Sequence, residues 1–509
     1  MTKGFIAFVA ALCMGAPVYS QTCQPEEFAY KVKNEAFNNS KVEELSQYMT
    51  DRLGSRLAAS QMKLRAEKLV IDKLNELGLS NPRAEFASEF TKGGWDNLKN
   101  YVAMTAPYYC SFAANPKAWS GSTDGLVKGE CMVLDVNEIA DLDKYKGNLA
   151  GKIVLMPEQR KYELSFRPMA SRYTDEQLND MTKDRRPSSG SWSRGTYNRA
   201  LQHAIDSVLM AEQVLAVISG DGTFNIPGSR GAAYKVGDKE PVTQIVLPIE
   251  DHGRMVRLVN SGEKVEMELD IKNQFTDNQR INNIIAEIPG TDPKLNNEIV
   301  LIGAHLDSWH GGTGGADNAA GCITMMEAMR ILKAIGVSPR RTIRLALWGG
   351  EEQGLYGSRG YADKYLYDSE KKKAQSGYDD FVIYMNMDFG SGRFRGVYLE
   401  ENDMAYPFFE AWKKPLASLG FETLSPRRVG STDHVSFSSL GLPAYQFIQD
   451  PLDYFRAYHT TMDTYERMSI DDLKVNAAIV AWLAYNAAMD NGRIPVKPGF
   501  PAKLAEDKK

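Results

Sequence analysis

Histidine and cysteine are scarce in this chain, six and five among 509 residues. Five cysteines are too few to staple a scaffold with disulfides, and none has the spacing of a zinc cluster. Charge of one sign is also lacking: 60 basic against 65 acidic residues leave a formal net charge of -5 over the whole chain. No long basic stripe is present, which argues against a nucleic-acid partner, and the triple lysine at 371–373 reads as solvated surface. The one long apolar stretch, residues 4–16, is too short to span a bilayer, so no membrane span is expected. A His-Glu-x-x-His helix, a Gly-x-Ser-x-Gly elbow and a phosphate-cradling Gly-rich loop with a lysine are all missing.

The apolar stretch instead reads as an address. Lys3 precedes it, and Val18-Tyr19-Ser20 offers small residues to a signal peptidase, so a signal peptide over 1–20 is expected, with export to the periplasm or outside. Leu12 and Thr22 stand where a lipoprotein anchor at Cys13 or Cys23 would want Gly or Ala. Cys110 and Cys131 are open to pairing in an oxidising compartment, with Cys23 unpaired or an alternative partner. Cys322, on an apolar helix, reads as a buried free thiol.

At 509 residues the chain exceeds what one core usually organises, so two domains are expected. Residues 40–54 and 60–77 read as amphipathic helices; Leu64, Ile71, Leu74 and Leu77 share a face of the second, and Gly78 stops it. Further on, apolar strands at 283–288, 299–304, 342–348, 382–387 and 444–448 alternate with helices at 319–335, 357–368, 407–419 and 470–488. This predicts an α/β fold with a mostly parallel central sheet flanked by helices. Residues 126–270 break the pattern with short strands at 152–156, 214–219 and 242–248. Within them, 160–193 is charged and aperiodic, a surface excursion towards the active-site mouth, and 496–509 is expected to be a mobile tail.

The residues that carry chemistry fall at strand ends or in the loops beyond. His305-Leu-Asp307 follows 299–304, Glu351-Glu352 follows 341–348 and a Gly-Gly turn, and Asp388 closes Asn386-Met-Asp388. Ligands in open sheets of this class gather beyond the strands' carboxyl ends. Asp317 and His459 complete the order His, Asp, Glu-Glu, Asp, His, which suits a two-zinc hydrolase. Zinc accepts imidazole nitrogen and carboxylate oxygen, and a zinc pair needs one shared carboxylate plus ligands for each metal. Asp317 is expected to bridge, with His305 and Asp388 on one or other metal and Glu352 and His459 completing the set. Glu351 is then unliganded and free to carry a proton to the leaving amine. Asp307 is placed to orient a ligating imidazole. A Ser-His-Asp hydrolase would leave this constellation without a purpose.

HLDSW, GGADNAAG, ALWGGEEQGLYGS, NMD and YHTTMDT stand in the order and rough spacing of the co-catalytic di-zinc exopeptidases, which the chain resembles from about 40 to 492. The tryptophan of HLDSW is most similar to the carboxypeptidase Q-like members. The resemblance implies two zinc ions and a peptide substrate, a dipeptide or short peptide attacked by a dipeptidase or carboxypeptidase. An aminopeptidase on the same site is the alternative. A receptor-like binding protein that has lost its metals is the contrasting class, but here all five ligands and the base are present.

The resemblance further implies a discontinuous catalytic domain, 21–125 and 271–495, interrupted by a β-rich protease-associated domain over 126–270. Tyr145-Lys146-Gly147, residues 151–155 and residues 216–218 carry that likeness. A homodimer is compatible with it. Many relatives have two acidic residues where this chain reads Asp317-Asn318; the first is the expected bridge, so no metal should be lost. Leu53-Gly54-Ser55-Arg56-Leu57 resembles the Gly-x-Arg stretch that opens relatives' catalytic domains. Asp433 and His434 match a Ser-Asp-His stretch near relatives' substrate pocket; they serve that pocket or belong to a turn capped by Ser431 or Thr432. Tyr458 helps hold an oxyanion or packs in the core. His310 touches substrate or is a solvated loop residue, and His203 and His252 are structural or exposed.

Overall fold

Alternation along the strands decides how the central sheet is buried. In strand Ile299–His305, Val300, Ile302 and Ala304 pack on one face of the sheet and Leu301 on the other, as a period of two requires. The first face carries helices Ala320–Ala334, Ile470–Met489 and Pro25–Asn38; the second carries Tyr356–Tyr365 and Val435–Ser438. With both faces covered, strand Ile299–His305 is apolar up to its terminal histidine. This computed structural model describes residues 25–158, 160–185 and 199–502. The expected signal peptide, Cys13, Cys23, the later part of the excursion and residues 503–509 lie outside them. No helix among the described residues is long and apolar enough to cross a membrane.

The central sheet has eight strands, in the order Ser80–Glu89, Arg280–Ile288, Thr342–Trp348, Ile299–His305, Phe381–Asn386, Ala444–Gln449, Phe394–Tyr398 and Thr423–Ser425. The four from Thr342–Trp348 to Ala444–Gln449 are mutually parallel, and antiparallel strands flank them. The chain is thus a mixed α/β protein, and the predicted strands and helices lie within a few residues of the observed ones.

A second eight-stranded sheet runs in the order Cys110–Ser111, Gly94–Ala106, Glu266–Thr276, Val127–Val133, Ile153–Leu155, Ala216–Gly220, Gln244–Leu247 and Asn115–Pro116. Its core is its own, built on Val102, Met104, Ile153, Leu155, Ile218 and Leu269. It extends past 126–270 on both sides, because the long antiparallel pair Gly94–Ala106 and Glu266–Thr276 belongs to it. Cys110 and Cys131 are free thiols. Two strands separate theirs in the sheet order, a gap of about 14 Å at the usual strand spacing, beyond disulfide reach.

The excursion is anchored to the catalytic sheet. Ser171 bridges to Leu452, Arg172 pairs with Asp450 at 2.9 Å and Asp472 at 2.8 Å, and helix Asp175–Met181 packs beside Thr423–Ser425.

Candidate active site and metal centre

Strand register sets the site. His305 ends its strand opposite Trp348, and Gly303 pairs with Asn386. The turn after Trp348 and the residues after Asn386 therefore emerge beside His305, which brings Glu351, Glu352 and Asp388 to one crevice. Asp317 arrives from turn Gly315–Ala319, ahead of helix Ala320–Ala334, and is joined to Asn318 by a cis peptide. His459 arrives from the loop beyond Ala444–Gln449.

Two groups of donors form. His305, Glu351 and Asp388 make one; Asp317, Glu352 and His459 make the other, each with ligand atoms within 4.8 Å of one another. Asp317 joins them: its Oδ1 lies 3.1 Å from His305 Nε2 and its Oδ2 lies 3.4 Å from His459 Nε2. Asp388 Oδ2 is 3.6 Å from His305 Nε2, and Glu352 Oε2 is 2.9 Å from His459 Nε2. Two ligand atoms on one tetrahedral zinc stand about 3.4 Å apart. Those four spacings fit, while Glu351 Oε2, at 4.0 Å from His305 Nε2, is the longest.

The electrostatics ask for cations. Burial pushes Glu351 well above the usual carboxyl range, with His305 opposing and Asp388 and Asp433 adding to it. Burial likewise raises Glu352 to about 7 against the pull of His459, and Asp433 to about 7 against His305. His305 sits well above its ordinary value: burial alone would lower it, but Asp388 and Glu351 outweigh that. His459 is raised to about 9 because Glu352 and Asp317 outweigh its burial. Glu352 Oε1 is buried with no hydrogen-bond partner, a cost that a bound cation would remove. Imidazole and carboxylate donors at these spacings, with one carboxylate between them, fit a pair of zinc ions.

Asp307 acts differently from expectation. Its backbone carbonyl, not its carboxylate, lies 3.0 Å from His305 Nδ1; Oδ1 is 3.9 Å away. The carboxylate accepts the backbone N–H groups of Glu351 at 3.1 Å and Glu352 at 3.2 Å. Those N–H groups open a turn and lack a helical partner, so a buried acceptor there fixes the Glu-Glu pair.

The remaining expected residues divide. Asp433 is buried close enough for its charge to bear on Glu351 and Asp388. His434 is also buried, but its Nε2 faces Val429 O and Glu400 Oε1, both at 3.2 Å, and joins neither donor group. Tyr458 stacks between Tyr454 and His459 at centroid distances of 5.1 and 4.4 Å. His310 is neither solvated nor at the donors: it packs on Trp95, its Nε2 is 2.7 Å from Pro116 O, and burial lowers it to about 4.

Two residues had no role assigned from sequence. Arg56 is fully buried and donates to the carbonyls of Leu306, Met49, Gly54, Thr313 and Gly314, tying down the stretch that runs from His305 towards Asp317. The Gly-x-Arg stretch was its signal. Asp463 accepts the N–H groups of Ala316 and Asp317, and its signal was its place in YHTTMDT.

Fold and site together define a co-catalytic zinc exopeptidase, an enzyme with two zinc ions as cofactors and peptides as substrates. Residues 283–484 match the model of peptidase family M28. Mouse carboxypeptidase Q is 24% identical over 452 residues, 88% of this chain and 85% of that protein. Leucine aminopeptidase 2 of Trichophyton equinum is 34% identical over 183 residues, 36% of this chain and 34% of that protein. Among solved structures, a peptidase M28 precursor from Shewanella amazonensis shares the fold, with TM-score 0.65 and 23% identity over 93% of this chain and 99% of that one. So does BSAP, a zinc aminopeptidase from Bacillus subtilis, with TM-score 0.55 and 19% identity over 89% of this chain and 96% of that one.

Proposed function

We propose that this protein is a carboxypeptidase Q-like exopeptidase that hydrolyses dipeptides or short peptides. In this reading His305, Asp317 and Asp388 would hold one zinc, and Asp317, Glu352 and His459 would hold the other. Bound zinc would polarise the scissile carbonyl and acidify water. Glu351 takes the proton from the attacking water and passes it to the leaving amine nitrogen. Asp307 holds Glu351 and Glu352 in place through their backbone. The observation that carries the assignment is the spacing: four imidazole–carboxylate distances suit shared metals and that of Glu351 is the longest.

Arg230 supports carboxy-terminal attack. Its Nε is held by Asp221 Oδ2 at 2.8 Å, half its side chain is exposed, and its positive charge bears on Tyr458 and His459. It would receive the free carboxylate of a short substrate, with Tyr458 alongside. Arg230→Gln should raise KM for dipeptides about 10–100-fold, as loss of a charged hydrogen bond does, and leave C-terminally amidated peptides unaffected. Equal loss on both would point to an aminopeptidase.

We also propose that the second sheet is a protease-associated domain inserted in the catalytic domain, that residues 1–20 direct export, and that the enzyme is a homodimer. An amino terminus at Gln21 in the mature protein and twice the chain mass by light scattering are the expected results; an intact leader or a monomer would refute the respective point.

A further inference from the structure

We propose that Asp463 is a positioning residue that sets the spacing of Asp317 and His459, and through it the zinc affinity of the Asp317–Glu352–His459 group. The inference rests on the ligand assignment above.

Asp463 lies four residues after His459 and is almost fully buried. Its Oδ1 accepts the N–H of Ala316 at 2.6 Å and its Oδ2 that of Asp317 at 3.1 Å. Its own carbonyl accepts the N–H of Thr313 at 2.9 Å. Asp317 and Asn318 have non-helical backbone angles inside the Gly315–Ala319 turn, so helix hydrogen bonding does not fix their place. The loop that carries one imidazole is thereby stapled to the loop that carries the shared carboxylate.

The glycines between them are shaped for this contact. A Cβ on Gly315 would lie 2.3 Å from Thr464 O, and one on Gly312 would lie 2.6 Å from Asp463 O. The two backbones meet only because no side chain intervenes.

The arrangement repeats that of Asp307, which accepts two consecutive N–H groups at the Glu351-Glu352 turn. Each carboxylate holds a pair of successive amides at a ligand. Asp463 differs in joining two ligands of the same group. Asp317 reaches both groups but His459 only one, so the loss of Asp463 should be felt more strongly on the zinc that His459 would hold. A neutral side chain of the same shape offers one acceptor in place of two and turns an N–H donor against the second amide.

The test uses the full mature chain loaded with zinc and titrated with a chelator, and cobalt-substituted protein read in the visible spectrum. The parent should hold two equivalents. Asp463→Asn should bind the equivalent on the His459 side roughly 10–100-fold more weakly, the usual cost of disturbing an outer partner of a ligand, and the other equivalent should weaken by less. One cobalt band should change more than the other, and excess zinc should restore activity, which a folding defect would not allow. Asp463→Glu keeps the charge but moves the carboxylate by one methylene, and should weaken the same equivalent. Parental affinity at both sites in either folded variant overturns the proposal, as does equal weakening of both sites. So does failure of both variants to fold, which would make Asp463 a folding residue. A parent that binds fewer than two equivalents would overturn the ligand assignment instead.

Discussion

The two donor groups share Asp317 but are held by unlike scaffolding. His305 and Asp388 stand at the ends of adjacent parallel strands whose register is fixed along their length, and His305 is 1% exposed. His459 is 28% exposed and sits on a loop with a left-handed φ of 55°, a conformation that non-glycine residues adopt only when their surroundings impose it. Those surroundings come from the second sheet's side of the molecule: Ser229 N donates to His459 O at 2.7 Å, Gly228 bridges to Thr460, and Thr461 N donates to Pro227 O at 3.2 Å. One group is built by the catalytic sheet; the other is finished by contacts from outside it. The lesson is that residues 227–229, on the side of the second sheet, hold the loop that carries His459, and that the second group should be the first to release its zinc.

The largest effect should come from the residue common to both groups. Asp317→Asn removes a charge from each and should leave less than about one zinc per chain after dialysis, with hydrolysis near background. Retention of both metals would show that the groups do not share this carboxylate. A smaller and more selective effect is expected from Ser229→Pro, which deletes the N–H that holds His459 O. The second zinc should bind about 2–10-fold more weakly, the worth of one neutral hydrogen bond, while the first is unchanged. If chelator titration finds both sites unchanged, the contact from Ser229 does not support the loop.

Much of this was readable from the chain. The parallel strands announce themselves as continuous apolar runs, and His305, Glu351, Glu352 and Asp388 follow them within a few residues. Helix Pro25–Asn38 was missed because only Phe28, Ala29, Val32 and Ala36 are buried in a segment otherwise charged and polar, and its partner, Ile470–Met489, is remote in sequence. Strand Gly94–Ala106 was missed because its middle is polar and exposed, with a bulge against Glu266–Thr276, so no period of two survives. Arg56 and Asp463 stood in quoted motifs, but their partners are backbone carbonyls and amides, which leave no trace in residue type. Asp307 was expected to reach the imidazole with its carboxylate; whether side chain or carbonyl makes that contact depends on the local turn. His310 and His434 are packed histidines whose surroundings come from distant segments.

The central claim is that Glu351 moves a proton while its neighbour Glu352 holds a metal, and it is tested most directly by zinc content and turnover of two isosteric variants. Glu351→Gln should retain both zincs, melt like the parent and lose at least roughly 10²–10⁴-fold in kcat, the range of general acid–base catalysis. Glu352→Gln should instead lose zinc from the His459 side, because an amide is a poorer ligand than a carboxylate. A Glu351→Gln protein that sheds zinc while Glu352→Gln keeps it, or one that keeps its full activity, would contradict the account.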